Sequence, residues 1–193
     1  MTKFIFHGGE TKVKNVHNQN YFNEIVKGLK SPVKGLEIPF ARQRDKWQSG
    51  VLRDKKKFQR NLKDNKKVEL DLASEKSSIL RQQIKKAEVV FIIGGLEMKC
   101  LKENLKKIKD FKQLIKGKVV AGSSAGAYVL SQYYYTHGRA RVEEGLGILP
   151  VKTIAHYEKE KDKGNLKKLS EKNGQLKIIK IPETQYVVIN KVL

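Results

Sequence analysis

Nine residues near the middle of the chain decide its fold: Val119-Val120-Ala121-Gly122-Ser123-Ser124-Ala125-Gly126-Ala127. An apolar strand ends in the pattern Gly-x-Ser-x-Gly, and a helical stretch, Ala127–Gln132, follows it. In this setting small neighbours allow a sharp turn, which pushes the hydroxyl of Ser124 out above the strand. The segment therefore predicts a nucleophilic Ser124. The alternative is a glycine-rich turn that only joins a strand to a helix.

Short apolar runs alternate with amphipathic helical patterns along the chain. The predicted strands are Lys3–Phe6, Gly35–Phe40, Lys67–Leu72, Glu88–Ile93, Lys118–Ala121, Val151–Ala155, Lys177–Ile181 and Tyr186–Asn190. The predicted helices are Tyr21–Leu29, one or two within Ala41–Leu62, one capped by Ser74 and running to about Ala87, Glu97–Ile108, Phe111–Ile115 and one from Ser124. Lys159–Gly164 is predicted to be a charged surface loop. Such alternation predicts a mainly parallel sheet covered on both faces, in a single domain over residues 1–193.

The composition narrows the class of protein. The formal charge is +21, from 41 Lys and Arg against 20 Asp and Glu, and such a field attracts anions and nucleic acid. The lysines are spread along the whole chain with little aromatic interleaving, which favours a solvated surface over a nucleic-acid partner. No apolar run reaches the ~20 residues that span a bilayer, so we expect no membrane partner. A lone cysteine, Cys100, and the lack of a secretory segment at the N-terminus favour the cytoplasm.

A second glycine turn, Gly94-Gly95, ends the apolar run Glu88–Ile93. Ligands of open α/β sheets bind outside the carboxyl ends of the strands, so this turn and the serine turn can face one site. The N–H groups of Gly95 and Ala125 are then candidates to stabilise an oxyanion. The alternative is a turn that only needs a positive φ.

A serine hydroxyl needs a base to attack at neutral pH, and the chain has four histidines: His7, His17, His137 and His156. Order and position favour His156, because the predicted strand Val151–Ala155 delivers it to a strand end. An acid must then orient the imidazole. Glu158 is favoured, since a residue two positions on lies on the same side of an extended backbone; Glu143, Glu144 and Glu183 are the alternatives. The histidines and Cys100 are scattered, so no metal site is predicted.

Four segments together resemble the dipeptidase E and cyanophycinase group of serine peptidases, family S51. They are Phe91-Ile92-Ile93-Gly94-Gly95, Ala121-Gly122-Ser123-Ser124-Ala125-Gly126-Ala127, Gly145-Leu146-Gly147-Ile148-Leu149-Pro150 with His156-Tyr157, and Pro182-Glu183-Thr184 before Val187-Val188-Ile189. The resemblance implies a flavodoxin-like three-layer αβα sandwich of the class I glutamine amidotransferase-like kind. It also implies metal-independent hydrolysis of peptides. We expect a small peptide as the substrate, no cofactor, and a monomer or homodimer.

The resemblance assigns roles to individual residues. Ser124 is the implied nucleophile, His156 the base, and Gly95 and Ala125 the oxyanion donors. The substrate is expected to touch Gly94, Glu97 and Ser123. The wider superfamily often has His-x-Glu downstream of its nucleophile, which is similar to His156-Tyr157-Glu158 and supports Glu158 as the acid.

Two departures from the family pattern bear on activity and specificity. Dipeptidase E has an aspartate about fifteen residues beyond its serine, where this chain has Gly138-Arg139-Ala140. Its arginines after the histidine segment are replaced here by lysines, which keep the charge but lose the bidentate fork. Specificity for aspartyl dipeptides is therefore not expected.

Three other functions compete with a serine peptidase. A catalytically inactive ligand-binding or interaction domain would keep the glycine turns but lack a working triad. A nucleic-acid-binding protein would use the positive charge, and an acyl-transfer enzyme would use Ser124 on a non-peptide substrate. A carboxylate within hydrogen-bond reach of His156 would separate the active from the inactive protein.

Overall fold

Two sheets with helices packed around them are seen in a computed structural model that describes residues 1–193. The strands are β1 (Thr2–His7), β2 (Val33–Ile38), β3 (Val68–Leu72), β4 (Val89–Ile92), β5 (Val119–Ser123), β6 (Ser131–Thr136), β7 (Arg141–Glu144), β8 (Leu149–Ala155), β9 (Ile178–Ile181) and β10 (Tyr186–Lys191). The α-helices are α1 (Val16–Val26), α2 (Trp47–Asn61), α3 (Ser77–Lys86), α4 (Met98–Lys106), α5 (Phe111–Leu114), α6 (Ala125–Leu130) and α7 (Lys163–Glu171). Single 3₁₀ turns occur at Arg44–Lys46 and His137–Arg139. None of the helices combines the length and apolarity needed to cross a membrane.

The larger sheet has the strand order β10-β1-β5-β4-β2-β3. All of its neighbouring pairs are parallel except β10 with β1. Because successive side chains of a strand point to opposite faces, Phe4 and Phe6 enter one buried cluster and Ile5 enters the other.

Helices cover both faces of this sheet. Tyr21 and Phe22 of α1 pack with Phe58 of α2 on one face, and residues such as Leu80 of α3 and Leu101 of α4 pack on the other. The continuous apolar strands of the prediction are thus buried from both sides, as a parallel sheet requires. The predicted fold class, a flavodoxin-like αβα sandwich with a mainly parallel sheet, is confirmed.

The smaller sheet, of order β7-β6-β8-β9, was not predicted. The helix expected over Ala127–Gln132 ends at Leu130, and β6 begins directly at Ser131. Three successive tyrosines favour an extended chain there, and pairing of β6 with β8 on one side and β7 on the other secures it. Hydrophobic pattern alone could not reveal that these partners lie elsewhere in the chain.

Two local expectations were wrong in detail. Ser74 does not cap α3: its hydroxyl accepts the N–H of Lys76, and the helix starts at Ser77. The charged segment Lys159–Gly164 is not all loop, because α7 begins at Lys163. Leu169 of α7 packs in a buried cluster with Tyr135 and Ile154 of the smaller sheet. Tertiary packing therefore stabilises this helix, which the charged sequence did not predict.

The carboxyl ends of β1, β4 and β5 bring three turns to one edge of the larger sheet. His7 pairs in register with Ser123, and Ile92 pairs with Gly122. The segments that follow these strands, which contain Gly9, Gly95 and Ser124, therefore meet at one place, as the rule for parallel sheets predicts.

Candidate active site

Ser124 lies on the turn between β5 and α6 in a conformation that is unusual for a residue with a side chain. Its φ is 49° and its ψ is −110°, a sparsely populated region that costs on the order of 1–3 kcal/mol unless the surroundings enforce it. The enforcement is visible, because its N–H donates to the carbonyl of His7 and its own carbonyl accepts from Ala127 and Tyr128 in the first turn of α6.

Both glycines of the Gly-x-Ser-x-Gly pattern are required by close packing. A Cβ on Gly122 would lie 2.6 Å from the backbone of Gly126, and a Cβ on Gly126 would lie 2.0 Å from the carbonyl oxygen of Ile92. Real Cβ atoms do not approach this closely, so α6 packs against β4 and β5 at a distance that only glycine permits.

His156 follows β8 and meets the serine. Its Nε2 lies 3.0 Å from the hydroxyl of Ser124, within hydrogen-bond distance. Two contacts from the end of β1 hold it there: the N–H of His156 donates to the carbonyl of Gly8, and the imidazole packs on Gly9, where a Cβ would lie 2.2 Å from Cε1. The β1 turn, Gly8-Gly9, therefore places the imidazole of His156.

The other imidazole nitrogen of His156 contacts Glu183, on the turn between β9 and β10. Nδ1 lies 3.0 Å from Oε1 of Glu183, which completes a hydrogen-bonded chain from carboxylate to imidazole to hydroxyl. The turn is pinned on the same β1 segment, because Thr184 donates to the carbonyl of Gly9. The His156 side chain is 35% exposed and that of Glu183 is 54% exposed, so water reaches this end of the chain of contacts.

Glu158, the acid favoured from sequence, lies elsewhere. Its carboxylate is bonded to Lys161 at 2.6 Å. The argument for it assumed an extended backbone after His156, but His156 has a φ of 55°, so the side-to-side alternation of a strand is broken. The position beside the imidazole belongs to Glu183, which the sequence had offered as an alternative.

The remaining acid candidates make no hydrogen bond with the imidazole, which contacts Glu183 and Ser124. Glu143 is bound by Arg139, Arg141 and the hydroxyl of Tyr134. Glu144 is exposed on β7, where its backbone carbonyl accepts from Lys102.

The two predicted oxyanion donors flank the serine. Ala125 is the first residue of α6, so its N–H has no partner within the helix. The N–H of Gly95 makes no backbone hydrogen bond, and the Gly94-Gly95 turn is close enough that a Cβ on Gly94 would lie 3.1 Å from the Cβ of Ser124.

Ser124 and His156 line two cavities. The Arg42 cavity, of about 310 Å³, is lined by Gly94, Ser123 and the basic side chains of Lys12, Arg42 and Lys57, among others. The Tyr128 cavity, of about 320 Å³, is lined by Ala125, Met98, Tyr128, Tyr134, His137 and Arg139, among others. Gly95 borders both. Of the residues predicted to touch substrate, Gly94 and Ser123 line the first, whereas Glu97 is exposed at the start of α4 and lines neither.

Comparison with protein families gives a match over nearly the whole chain. The model of peptidase family S51 matches residues 4–192. The chain belongs to peptidase family S51. The resemblance read from the sequence is thereby confirmed.

Solved structures share the fold of this S51 chain. A crystal structure described as a candidate peptidase E protein from Listeria monocytogenes EGD-e is 19% identical, with a TM-score of 0.68, and the match covers 100% of this chain and 99% of that one. A peptidase from an acI-B1 Actinobacterium is also 19% identical, with a TM-score of 0.65 and coverage of 98% and 84%. A comparison with curated proteins gives no match.

A buried histidine, His7, contacts the turn that positions His156, and it was not predicted from sequence to be part of the S51 site. His7 accepts the N–H of Gly9 at Nδ1, and its Nε2 contacts Oδ1 of Asn18 at 2.9 Å. Burial lowers the pKa of His7 to about 4, so the ring is neutral and keeps the β1 turn in place. The signal was available: a glycine pair follows His7 at a strand end, as Gly94-Gly95 follows β4.

A buried charge cluster lies behind the Arg42 cavity of this S51 chain. Asp54 bonds Lys57 and lies 3.4 Å from Arg42, and Arg42 also donates to the carbonyl of Gly94 in the Gly94-Gly95 turn. Burial, with the nearby Asp54, raises the pKa of Glu37 to about 8. No pattern in the sequence marked these residues, because β2 contributes Glu37, α2 contributes Asp54 and Lys57, and Arg42 lies between the two elements. No group of three or more His, Cys, Asp or Glu side chains is arranged to hold a metal ion.

Proposed function

We propose that this chain is a serine-type peptidase that cleaves small peptides through an acyl-enzyme on Ser124. The observation that carries the proposal is the continuous chain of contacts from Glu183 through His156 to Ser124, with both distances at 3.0 Å. Nucleophile, base and orienting acid in hydrogen-bond reach of one another are the geometric signature of activated serine.

The acylation step uses each of these groups once. His156 accepts the hydroxyl proton at Nε2 as Oγ of Ser124 forms a bond to the peptide carbonyl carbon. The carbonyl oxygen takes up the electron pair, and the N–H groups of Gly95 and Ala125 donate to it. Glu183 accepts from Nδ1–H of His156, which holds the tautomer and stabilises the imidazolium.

Collapse of the tetrahedral intermediate breaks the peptide C–N bond. His156 returns its proton to the departing amine, and the acyl group remains on Ser124 as an ester. Water then attacks the ester with His156 again as the base, which releases the acid product and regenerates the hydroxyl.

The inactive alternative loses its main support. It rested on the absence of the family aspartate near Gly138-Arg139-Ala140, but Glu183 supplies a carboxylate from another part of the chain. The strained φ of Ser124 also favours activity, since such strain is kept where a mechanism uses it.

A fluorophosphonate probe tests the nucleophile directly. The intact protein should be labelled covalently, and Ser124→Ala should abolish labelling while leaving the circular dichroism spectrum unchanged. Ser49→Ala is the matched control, because Ser49 is exposed on α2 and distant in sequence from the site elements. Equal labelling of Ser124→Ala and the intact protein would reject Ser124 as the nucleophile.

Location and assembly are further parts of the proposal. We propose a cytoplasmic location, which the single free cysteine favours, and a monomer or homodimer. The scattered lysines favour a peptide substrate over nucleic acid. Light scattering on the purified protein would separate monomer from dimer, and a salt series with DNA and RNA would reveal any basic binding face.

A further inference from the structure

A second imidazole–carboxylate pair borders the cavity that contains Ser124. His137 lines the Tyr128 cavity, and its Nε2 lies 2.8 Å from Oδ1 of Asp162. The proposed hydrolysis does not use this pair. Its two members come from the 3₁₀ turn after β6 and from the residue before α7.

The hydrogen bonds around Asp162 keep its carboxylate ionised. It is 1% exposed, and it accepts the N–H of Glu158 at 2.8 Å and the amide of Asn165 at 2.7 Å in addition to His137. Burial by itself raises its pKa, but these hydrogen bonds outweigh burial and lower it. The carboxylate therefore fixes the His137 ring and keeps a proton on Nε2.

The second nitrogen of His137 is free to bind a ligand. Nδ1 has no hydrogen bond within the protein, and the side chain is 40% exposed. The other groups facing this end of the cavity are Arg139 and Glu143, and Glu143 is already bound by two arginines and a tyrosine. A carboxylate at Nδ1 accepts a hydrogen bond only from an N–H, so His137 binds it as the imidazolium, and the guanidinium of Arg139, which lines the same cavity, also favours an anion.

The shape of the cavity restricts what that anion belongs to. Its volume of about 320 Å³ is at the low end of the roughly 300–1,000 Å³ usual for ligand pockets. Tyr128 and Tyr134 stack at 4.7 Å with Met98 against them, which gives an apolar wall for one side chain. A single terminal residue fits these dimensions better than an extended peptide.

We propose that the Tyr128 cavity binds the C-terminal residue of a short peptide and that His137, held by Asp162, binds its terminal carboxylate. The proposal rests on the proposed peptidase function for the position of the scissile bond. It goes beyond that function by naming the leaving-group residue, an apolar amino acid with a free carboxylate, and the side chain that recognises it.

The test compares X-Leu dipeptides, with X any of the twenty amino acids, with the matched X-Leu amides. For the intact protein we expect kcat/KM to favour the acids at least tenfold, which is typical for a hydrogen bond to a charged group. His137→Gln should remove this preference by raising KM for the acids, because glutamine can still donate to Asp162 but then presents a carbonyl oxygen to the carboxylate. His17→Gln, on the exposed face of α1, should behave like the intact protein.

Binding to Ser124→Ala separates the two proposals. Calorimetry with the dipeptide pool and the amide pool reports recognition without turnover. Stronger binding of the acids that disappears in Ser124→Ala/His137→Gln supports the carboxylate site even if neither pool is cleaved, an outcome that would reject the peptidase alone. Equal binding of acids and amides, or a preference that survives His137→Gln, would overturn the assignment of His137.

Discussion

Ser124 lies on a turn that nine consecutive residues build, whereas His156 and Glu183 are brought together by contacts between distant parts of the chain. The serine turn needs Gly122 and Gly126 for close packing, and both are within two positions of Ser124. His156 and the turn that contains Glu183 instead depend on the carbonyls of Gly8 and Gly9, which lie about 150 and about 175 positions earlier in the chain. A local motif and a long-range assembly thus contribute to one site.

The difference shows where the site is sensitive to change. The strained serine conformation depends on the small residues beside it and also on the hydrogen bond from the Ser124 N–H to the carbonyl of His7, so it needs the end of β1 as well as β5 and α6. His156 and Glu183 also depend on the end of β1, because the carbonyls of His7, Gly8 and Gly9 accept from Ser124, His156 and Thr184. Substitutions in the β1 turn should therefore displace the site residues, although the turn itself contains no reacting group.

Removing the base should have the largest effect. His156→Gln leaves the serine turn intact but takes away the proton acceptor, and kcat should fall roughly a million-fold, as for other catalytic triads. Peptide hydrolysis under saturating substrate measures it. A residual rate within tenfold of the intact protein would show that another group activates Ser124.

The contribution of His7, at the end of β1, to the stability of the fold should decrease in acid. His7 is neutral in the folded protein, with a pKa of about 4, and is protonated below a pKa of about 6.5 when unfolded. The unfolded chain binds the extra proton between these values, so stability is lost as pH falls from about 7 to 4, by up to about 3 kcal/mol from this residue. Urea unfolding should show a shallower acid loss in His7→Gln; equal slopes would contradict a buried neutral His7.

Gly9→Ala tests the β1 turn at the imidazole. Gly9 has a φ of +118°, and the added methyl would meet His156, so the ring must move. A displacement of this kind should reduce kcat about a hundredfold while fluorophosphonate labelling is slowed, not lost. Gly28→Ala is the matched control, because Gly28 also has a positive φ but has open space around its Cβ position. Unchanged kcat in Gly9→Ala would mean that the β1 turn does not position the base.

Glu183→Gln should have a smaller effect than the same change at a buried acid. Because the carboxylate is more than half exposed, water can take over part of its role, and we expect kcat to fall about 10- to 100-fold. The pH–rate profile should also change, since the imidazolium loses its partner. A value of kcat within twofold of the intact protein would remove Glu183 from the mechanism.

Glu158→Gln should have the smallest effect and serves as the control for Glu183. Its carboxylate is paired with Lys161 at the surface, and such pairs contribute little to stability. Activity should stay within about twofold of the intact protein. A loss as large as that of Glu183→Gln would restore Glu158 as the acid suggested by the sequence.

The fold could be predicted because burial on both faces imposes continuous apolar strands, and all five parallel strands of the larger sheet were found within a few residues of their bounds. The smaller sheet was missed at β6, β7 and α7, where tyrosines and charges carry no clear period. The pairing of His137 with Asp162 was missed for the same reason. The two residues follow β6 and precede α7, and they meet only because these elements pack together.

The sequence by itself determined the serine turn, because its constraints act between residues that are neighbours along the chain: an apolar strand, small residues at the bend and a helix start. Only the tertiary structure decided which carboxylate faces His156. The sequence offered both Glu158 and Glu183 as the carboxylate partner of His156. The positive φ of His156 turns Glu158 away from the imidazole, and the hydrogen bond from Thr184 to the carbonyl of Gly9 holds Glu183 beside it. Hydrogen bonds between distant segments produce no periodic pattern in the sequence, so a single sequence could not distinguish Glu183 from Glu158.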